Sequence, residues 1–408
     1  MDRPLSKQLR ILYAAGPGDV IGTYRYWKDG QEDPSIVAMT YSGQFYEVCR
    51  DLDAQAYVIS AYQRVDRLCD GRFILENRPI PLSQASGLLY HLGLVWYGLR
   101  LIAAALRFRA DVAVVSTGST HWFVLSLLPL LGVQVVPSLH CVFWRKYVPM
   151  RRVERWLNWL NRSLFCRCTR ILSISPDVSE QVDQITQGNP APIVPFVPTY
   201  QASEFVAIPP PNWESLPFRV LFAGRIEADK GVFDLLEIAQ RLAAAGESEI
   251  VFDLCGGGSD LERLQQAARA AKLDTRFICY GHCNKPKMQE LLGRSHVVIV
   301  PTTTDSLEGF NKVVVEGVLV GRPVITSSVC PALGAVQAAV VEVPPNDVKA
   351  YGDAILKLRD DRAFYWQKQR ACLRLRQPFF DSSRSWAAAL KSVLLAMQPQ
   401  SKQVTESP

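Results

Sequence analysis

The stretch IVPTTTDSLEGFNKVVVEGVLVGRPVI, residues 299–325, decides the fold. Ile299, Val300 and Pro301 close the apolar run HVVIV, the pattern of a strand buried on both faces of a parallel sheet. A polar loop, Thr302 to Leu307, follows. Gly309 then lets the backbone approach a neighbour closely at the head of a helix, and a glycine turn leads into the next strand. A helix start after a parallel strand presents unpaired N–H groups and a partial positive charge, which suits a phosphate. Glu308 and Glu316 bracket that helix start. A rise of about 1.5 Å per residue between them sets the carboxylates about 12 Å apart along the axis. That is roughly the span from a ribose, across a diphosphate, to a second sugar. On spacing alone the pair would serve equally well as solvated helix residues.

Two further strand–turn–helix units lie upstream. Residues 218–236, FRVLFAGRIEADKGVFDLL, read as a strand, Gly224, a turn carrying Arg225 and Lys230, and a helix opening at Gly231. Two cations at a strand's carboxyl end are placed to neutralise a diphosphate, although a lone basic turn is most often solvated surface. Residues 249–264, EIVFDLCGGGSDLERL, repeat the pattern with a triple glycine, a weak signal by itself.

GRIEADKG, the GGGSD turn and EGFNKVVVEGVLVGRPVI, in this order and spacing, resemble family 4 of the retaining glycosyltransferases over nearly all of residues 218–345. The resemblance implies the GT-B architecture: an α/β protein of two Rossmann-like domains whose parallel sheets face across a donor-binding cleft. Arg225 and Lys230 match the family's diphosphate-binding pair. Glu308 matches the first glutamate of the E-x7-E motif, which contacts the donor sugar near the reacting carbon. Glu316 matches the second, which holds the ribose hydroxyls. The N–H groups of Gly309, Phe310 and Asn311 would cap the phosphates, and the nucleotide base would lie near Cys279 to His282 (CYGH). Where the family has a small residue followed by an apolar one, this chain has Asn311 and Lys312.

Length and patterning agree with two domains. A chain of 408 residues, 48% hydrophobic, is too long for one ordinary core, and strands alternate with helical stretches throughout. Residues 1–198 read as an acceptor-side Rossmann-like domain and 199–217 as the linker, within PTYQASEFVAIPPPNWESLP (198–217). Residues 218–380 read as the nucleotide-sugar domain, 381–397 as a helix closing across the junction, and 398–408 as a disordered tail. In the first domain, RILYAAGPGDV sets Gly16 and Gly18 after a strand, where an open α/β sheet builds its crevice. The family sets a glycine-rich loop there against the donor phosphates; here Pro17 separates the two glycines, which otherwise simply make a turn. Asp19 follows as a weaker candidate. The family's histidine at a later strand end, near the donor sugar, matches His140 after GVQVVPSL, with His121 as competitor.

The resemblance implies a retaining, metal-independent hexosyl transfer with no cofactor: a nucleotide-diphosphate sugar gives its sugar to a hydroxyl of a glycan or lipid-linked acceptor. Family frequency points to bacterial surface polysaccharide or lipopolysaccharide assembly. A nucleotide-sugar epimerase or sugar phosphorylase on the same fold, and an inactive binding protein, are the alternatives. GPGDV in place of G-x-G-x-x-G argues against a nicotinamide oxidoreductase. The net charge of +6 is modest and no nucleic-acid motif accompanies it.

Residues 144–170, WRKYVPMRRVERWLNWLNRSLFCRCTR, resemble a basic amphipathic helix of the kind attracted to anionic lipid. The same stripe would equally pack on the sheet with its arginines in water. Residues 87–106, GLLYHLGLVWYGLRLIAAAL, nearly suffice to span a bilayer but carry His91 and Arg100, and read as a largely buried helix. The 10 cysteines show no paired C-x-x-C spacing, and Cys255 and Cys279 fall in strands where free cysteine acts as a small apolar residue. With no secretory apolar core before the first strand, the reading is a cytoplasmic protein at the inner face of the membrane.

Overall fold

The computed structural model describes residues 8–397; the tail at 398–408, read as disordered, lies outside the described residues. Two sheets form, their central strands built from short, mostly apolar runs. The first contains β1 (Arg10–Ala15), β2 (Gln55–Ser60), β3 (Asp66–Asp70), β4 (Phe73–Asn77), β5 (Val112–Ser116), β6 (Gln134–Leu139), β7 (Ile171–Ser173) and β8 (Ile193–Pro195). Their order is β3-β4-β2-β1-β5-β6-β7-β8, parallel except for the antiparallel β3–β4 pair at one edge. The second contains β9 (Phe218–Ala223), β10 (Ile250–Cys255), β11 (Phe277–Cys279), β12 (Val297–Val300), β13 (Val324–Ser327) and β14 (Val340–Val343), ordered β11-β10-β9-β12-β13-β14 and parallel throughout. All residues of β5, β10, β12 and β13 are buried, which only a sheet covered on both faces by helices allows. These are two α/β domains of the GT-B kind.

Each sheet reverses its strand order once, between β1 and β5 in the first and between β9 and β12 in the second. Crevices open at such points, outside the strand carboxyl ends. The loops that leave them are Gly16–Asp19 and Thr117–Thr120 in one domain, and Gly224–Lys230 and Pro301–Asn311 in the other. Asp19 is spent on structure: its carboxylate accepts from the N–H groups of Ile21 and Gly22 to cap helix Val20–Lys28, and from Asn77 Nδ2 at 2.9 Å.

The chain crosses between the domains twice. Along 199–217 the Thr199 carbonyl accepts from Met39 N–H (3.1 Å) and Tyr200 N–H donates to the Phe379 carbonyl (3.0 Å). Helix Trp386–Met397 then returns to the first domain. Trp386 is fully buried in the first core and its indole N–H donates to Ser138 Oγ at 2.7 Å, while Ala387 N–H donates to Gln44 Oε1 at 2.9 Å.

Three sequence expectations are corrected. Helix Gly87–Phe108 is not largely buried: less than half of its most apolar stretch is covered, and Leu88, Leu89, Leu92, Trp96 and Leu99 face outward, because only one face packs on the sheet. Cys255 is not a free apolar cysteine; its sulfur is bonded to that of Cys283. The helix in the deciding stretch spans only Lys312–Leu319, so Glu308 lies in the loop before it and the axial rise says nothing of the distance to Glu316. Asn311, the residue before the helix, is extended (φ −85°, ψ 94°) and breaks the helical path.

Candidate active site

A cleft of about 570 Å³ lies between the domains. Its second-domain wall comes from both loops of the switch point: Gly224, Arg225 and Lys230 after β9, and Thr302, Glu308 and Phe310 to Val313 after β12. Gly256 and Gly257 after β10, and His282 to Lys285 after β11, form the far end; Ser35 to Ala38 close it from the first domain. Arg225, Lys230, Glu308, Phe310, Asn311, Glu316 and His282 therefore share one cleft, and Gly309 sits in the same loop.

Lys230 is held rigidly for a long cation. It is only 7% exposed, and its ammonium donates to Ser306 Oγ at 2.8 Å and pairs with the Glu308 carboxylate, with Asp229 at 3.5 Å. The turn that aims it ends at Gly231, whose φ of +73° and contact with the Pro301 carbonyl leave no room for a Cβ. Arg225 is more open, its side chain 63% exposed and paired with Glu227 at 2.7 Å. One cation is thus held inside the wall of the cleft and the other at its surface. Ser306, which anchors Lys230, carried no sequence signal.

Glu316 stands deeper in the cleft. It is 8% exposed, and burial pushes its carboxyl up to about 7 against the opposing pull of Lys312 and the Tyr200 hydroxyl. At neutral pH it is therefore both an acceptor and, in part, a donor toward a ligand's hydroxyls. Tyr200 itself is buried, its hydroxyl 3.3 Å from the Lys312 carbonyl.

A second cavity of about 830 Å³ adjoins the cleft through Ser35, Ile36, His282, Asn284 and Lys312. Gly16, Pro17, Gly18 and Asp19, Ser116 and Thr117, and His140 line it from the strand ends of the first sheet. Gly16 and Gly18 thus face this cavity and not the part of the cleft that holds Arg225 and Lys230, because their loop ends a strand of the opposite sheet. His140 closes the junction. Its backbone N–H donates to Thr117 Oγ1 at 3.0 Å and its Nε2 lies 2.8 Å from Ser138 Oγ. Burial, with Lys312 nearby, pushes the ring down to about 3, so it is neutral. His121 sits elsewhere, its Nε2 3.0 Å from His91 Nδ1.

The domains touch beside Glu308 and His140. A Cβ on Gly309 would stand 2.6 Å from Cys141 Cα and closer still to the His140 carbonyl, so only glycine lets the Glu308 loop meet the His140 loop. The Cys141 thiol donates to the Leu307 carbonyl at 3.4 Å. Among the described residues no group of three or more His, Cys, Asp or Glu side chains is placed to hold a metal ion.

Comparison with known proteins accords with this geometry. Residues 208–374 match the family described as Glycosyl transferases group 1, and residues 44–195 match Glycosyltransferase Family 4. The chain is 27% identical over 325 residues to the 2-deoxystreptamine N-acetyl-D-glucosaminyltransferase of Streptomyces fradiae, covering 72% of this chain and 75% of that protein. The structure resembles sucrose-phosphate synthase from Thermosynechococcus elongatus with a TM-score of 0.68 at 15% identity, covering 96% of this chain and 99% of the other. It also resembles an Anabaena protein, HepE, solved in complex with UDP, with a TM-score of 0.63 at 13% identity, covering 95% and 98%. At such identities the structural likenesses speak for the fold, and the two family matches, side by side over most of the sequence, speak for descent. The chain belongs to glycosyltransferase family 4, the glycosyl transferases group 1, which transfer a sugar from a nucleotide donor and here have the GT-B fold.

Proposed function

We propose that the protein transfers a hexose-type sugar, with retention of configuration and without a metal ion, from a nucleoside diphosphate to a hydroxyl of a glycan or lipid-linked acceptor. The observation that carries this reading is the convergence of Arg225, Lys230, Glu308 and Glu316 on one cleft at a strand-order reversal. The diphosphate lies against Lys230, Arg225 and the N–H groups of Gly309 to Asn311, and Glu316 accepts from the ribose hydroxyls. Cationic and N–H donors fixed in advance stabilise the charge that develops on the leaving diphosphate. The bond from the anomeric carbon to that diphosphate breaks, and the acceptor oxygen bonds to the same face of the carbon. The acceptor proton passes to the departing phosphate oxygen. Glu308 stands beside the sugar and His140, neutral, offers a hydrogen bond.

The HepE complex contains UDP, which supports UDP as the first nucleotide to test. Thermal unfolding against UDP, GDP, ADP and NAD checks the donor site: a nucleotide at 100 times its Kd raises stability by about 2.7 kcal/mol. Stabilisation by one nucleoside diphosphate is the expected result; stabilisation by NAD alone overturns the reading. Retention is checked by the anomeric proton coupling of the product against that of the donor.

The acceptor's setting follows from the first domain. Helix Arg152–Arg167 exposes Val153, Trp156 and Trp159 beside Arg151, Arg152 and Arg155. The outward leucines and Trp96 of helix Gly87–Phe108 belong to the same domain, and both helices pack on the turn Trp122–Ser126. Exposed tryptophans flanked by arginines suit an anionic membrane surface, and the protein works at the cytoplasmic face on a lipid-linked acceptor of surface polysaccharide assembly. Co-sedimentation with phosphatidylglycerol vesicles, strong at low salt and lost in the double variant Trp156→Ala, Trp159→Ala, is the expected result. Equal sedimentation of the variant refutes this part.

A further inference from the structure

Lys312 is placed against the usual electrostatics of a helix. It is the first residue of helix Lys312–Leu319, where the partial positive charge of the helix N-terminus disfavours a cation. Its ammonium lies 4.9 Å from the centre of the Tyr41 ring, and no hydrogen-bond or ion-pair partner holds it among the described residues. The buried surroundings lower its pKa, with Glu316 opposing. Glu316, one helical turn on, is the one anion felt by this cation, and no direct ion pair or hydrogen bond joins the two among the described residues.

The polar atoms around it are also unfinished. Tyr41 Oη, His140 Nδ1 and Asn311 Oδ1 are all buried without a hydrogen-bond partner, although buried polar groups are ordinarily paired. The Tyr41 and His140 rings lie 4.4 Å apart. Ser138 Oγ, which accepts from the Trp386 indole, has its own proton to give to His140 Nε2; that assignment leaves the ring proton on Nδ1. Lys312, Tyr41 and His140 then present three donors, the set that a carboxylate or phosphate oxygen requires. All three line the second cavity, which Arg225 and Lys230 do not.

We propose that Lys312, with Tyr41 and His140, forms an anion-recognition subsite where the donor cleft meets the second cavity, selecting a ligand that carries a carboxylate or phosphate besides the donor diphosphate. The proposal rests on the glycosyltransferase reading. Its anion has two possible sources, the transferred sugar, as in a hexuronate, or a phosphorylated acceptor.

Calorimetric titration separates the outcomes. The wild type, Lys312→Met and the charge-preserving Lys312→Arg are each titrated with UDP, UDP-glucose and UDP-glucuronate, and with GDP, GDP-mannose and GDP-mannuronate. Glucose 6-phosphate is then titrated in the presence of the saturating nucleoside diphosphate. If the sugar supplies the anion, the wild type prefers the hexuronate at least tenfold, Lys312→Met loses the preference and Lys312→Arg keeps most of it. If the acceptor supplies it, donors show no preference and glucose 6-phosphate binds the wild type and Lys312→Arg but not Lys312→Met. The proposal is overturned if the wild type shows neither selectivity, if Lys312→Met binds every ligand as the wild type does, or if it weakens the plain nucleoside diphosphate by the same factor as the rest. That last result makes Lys312 a diphosphate contact. Failure of every nucleoside diphosphate to bind the wild type defeats the glycosyltransferase reading itself.

Discussion

Glu308→Gln should tighten nucleoside diphosphate binding while it cripples transfer. Without donor, the Lys230 ammonium is engaged by the Glu308 carboxylate and by Ser306 Oγ, with side-chain exposures of only 9% and 19% for the ion pair. A diphosphate must therefore draw Lys230 from an existing partner. Hydrogen bonds to charged groups contribute about 1.5–3 kcal/mol each, and the amide of glutamine keeps the shape while giving up the charge. Part of the competition, about 1 kcal/mol, should return to the ligand, a gain of roughly fivefold in UDP affinity. On the proposed reading the carboxylate stands beside the reacting carbon, so kcat should fall by about 10² or more. The assay is calorimetric titration of UDP alongside turnover with the same preparation. UDP affinity unchanged or weaker in a folded Glu308→Gln protein would falsify the competition, since Lys230 would then not be shared. The double variant Lys230→Met, Glu308→Gln closes the cycle: once Lys230 is gone, the glutamate substitution should no longer tighten binding.

Other consequences follow from the same geometry. Alanine at both Arg225 and Lys230 should lower diphosphate affinity and turnover together; if neither falls, the phosphate site lies elsewhere. Because burial holds the Glu316 carboxyl near pH 7 and ribose hydroxyls prefer to donate to the ionised form, donor affinity should rise with pH toward a plateau above about 7. Below that it should drop by up to about tenfold per pH unit. Glu316→Gln should flatten the profile, and an identical slope in the variant assigns the titration to another group. Gly309→Ala forces the His140 and Glu308 loops apart by about 1 Å, a misplacement of the size that costs roughly 10² in kcat/KM; wild-type kcat/KM would show that this contact is not part of the active geometry. Trp386→Ala should cost about 3–5 kcal/mol in urea unfolding, because a fully buried indole and its bond to Ser138 are lost. A loss under 1 kcal/mol contradicts its place in the first core.

Local apolar runs made most of the scaffold readable. HVVIV, RVLFA and DVAVVS are each short and continuous, and each forms a buried strand of a parallel sheet. The cleft was readable because its chemistry sits at strand ends within single motifs, as with Arg225, Lys230, Glu308 and Glu316. What escaped depends on contacts between distant residues. Asn311 takes an extended conformation, and a binary pattern does not reveal where a helix begins within two or three residues. Tyr41 lines the second cavity from a helix and Tyr200 backs Lys312 from the linker, with no motif of their own. Cys255 and Cys283 meet across 28 residues at no diagnostic spacing. The outward face of helix Gly87–Phe108 is not legible either, because a uniformly apolar helix hides which side the sheet covers.

The two-domain arrangement joins cleft geometry to chemistry at a single seam. On one side the chain crosses at 199–217 and again before helix Trp386–Met397, with backbone bonds from Met39 to Thr199 and from Tyr200 to Phe379 tying the crossings together. On the other side one group of contacts between domains lies at the Glu308 loop, with Gly309 against the His140 carbonyl, Cys141 to Leu307, Tyr147 to Ser328 at 2.6 Å and Arg145 to Asp305 at 3.6 Å, and another at the far end of the cleft, where Lys285 N–H donates to the Pro34 carbonyl at 3.1 Å. Most of these second-domain residues lie in the loop that carries Glu308. A rotation about the crossings therefore parts Glu308 from His140 before it disturbs Lys230 or Glu316, which stay fixed within the second domain. Nucleotide binding and sugar transfer thus place different demands on the fold: on the proposed reading the first draws its charged groups from the second domain, with Ser35 to Ala38 only closing the cleft, whereas the second needs the Glu308 and His140 loops in contact. Gly309→Ala should for that reason raise KM for the nucleotide donor far less than it lowers kcat, whereas loss of Arg225 and Lys230 strikes both. Equal effects of Gly309→Ala on the two parameters would mean that the domain contact also shapes the nucleotide site.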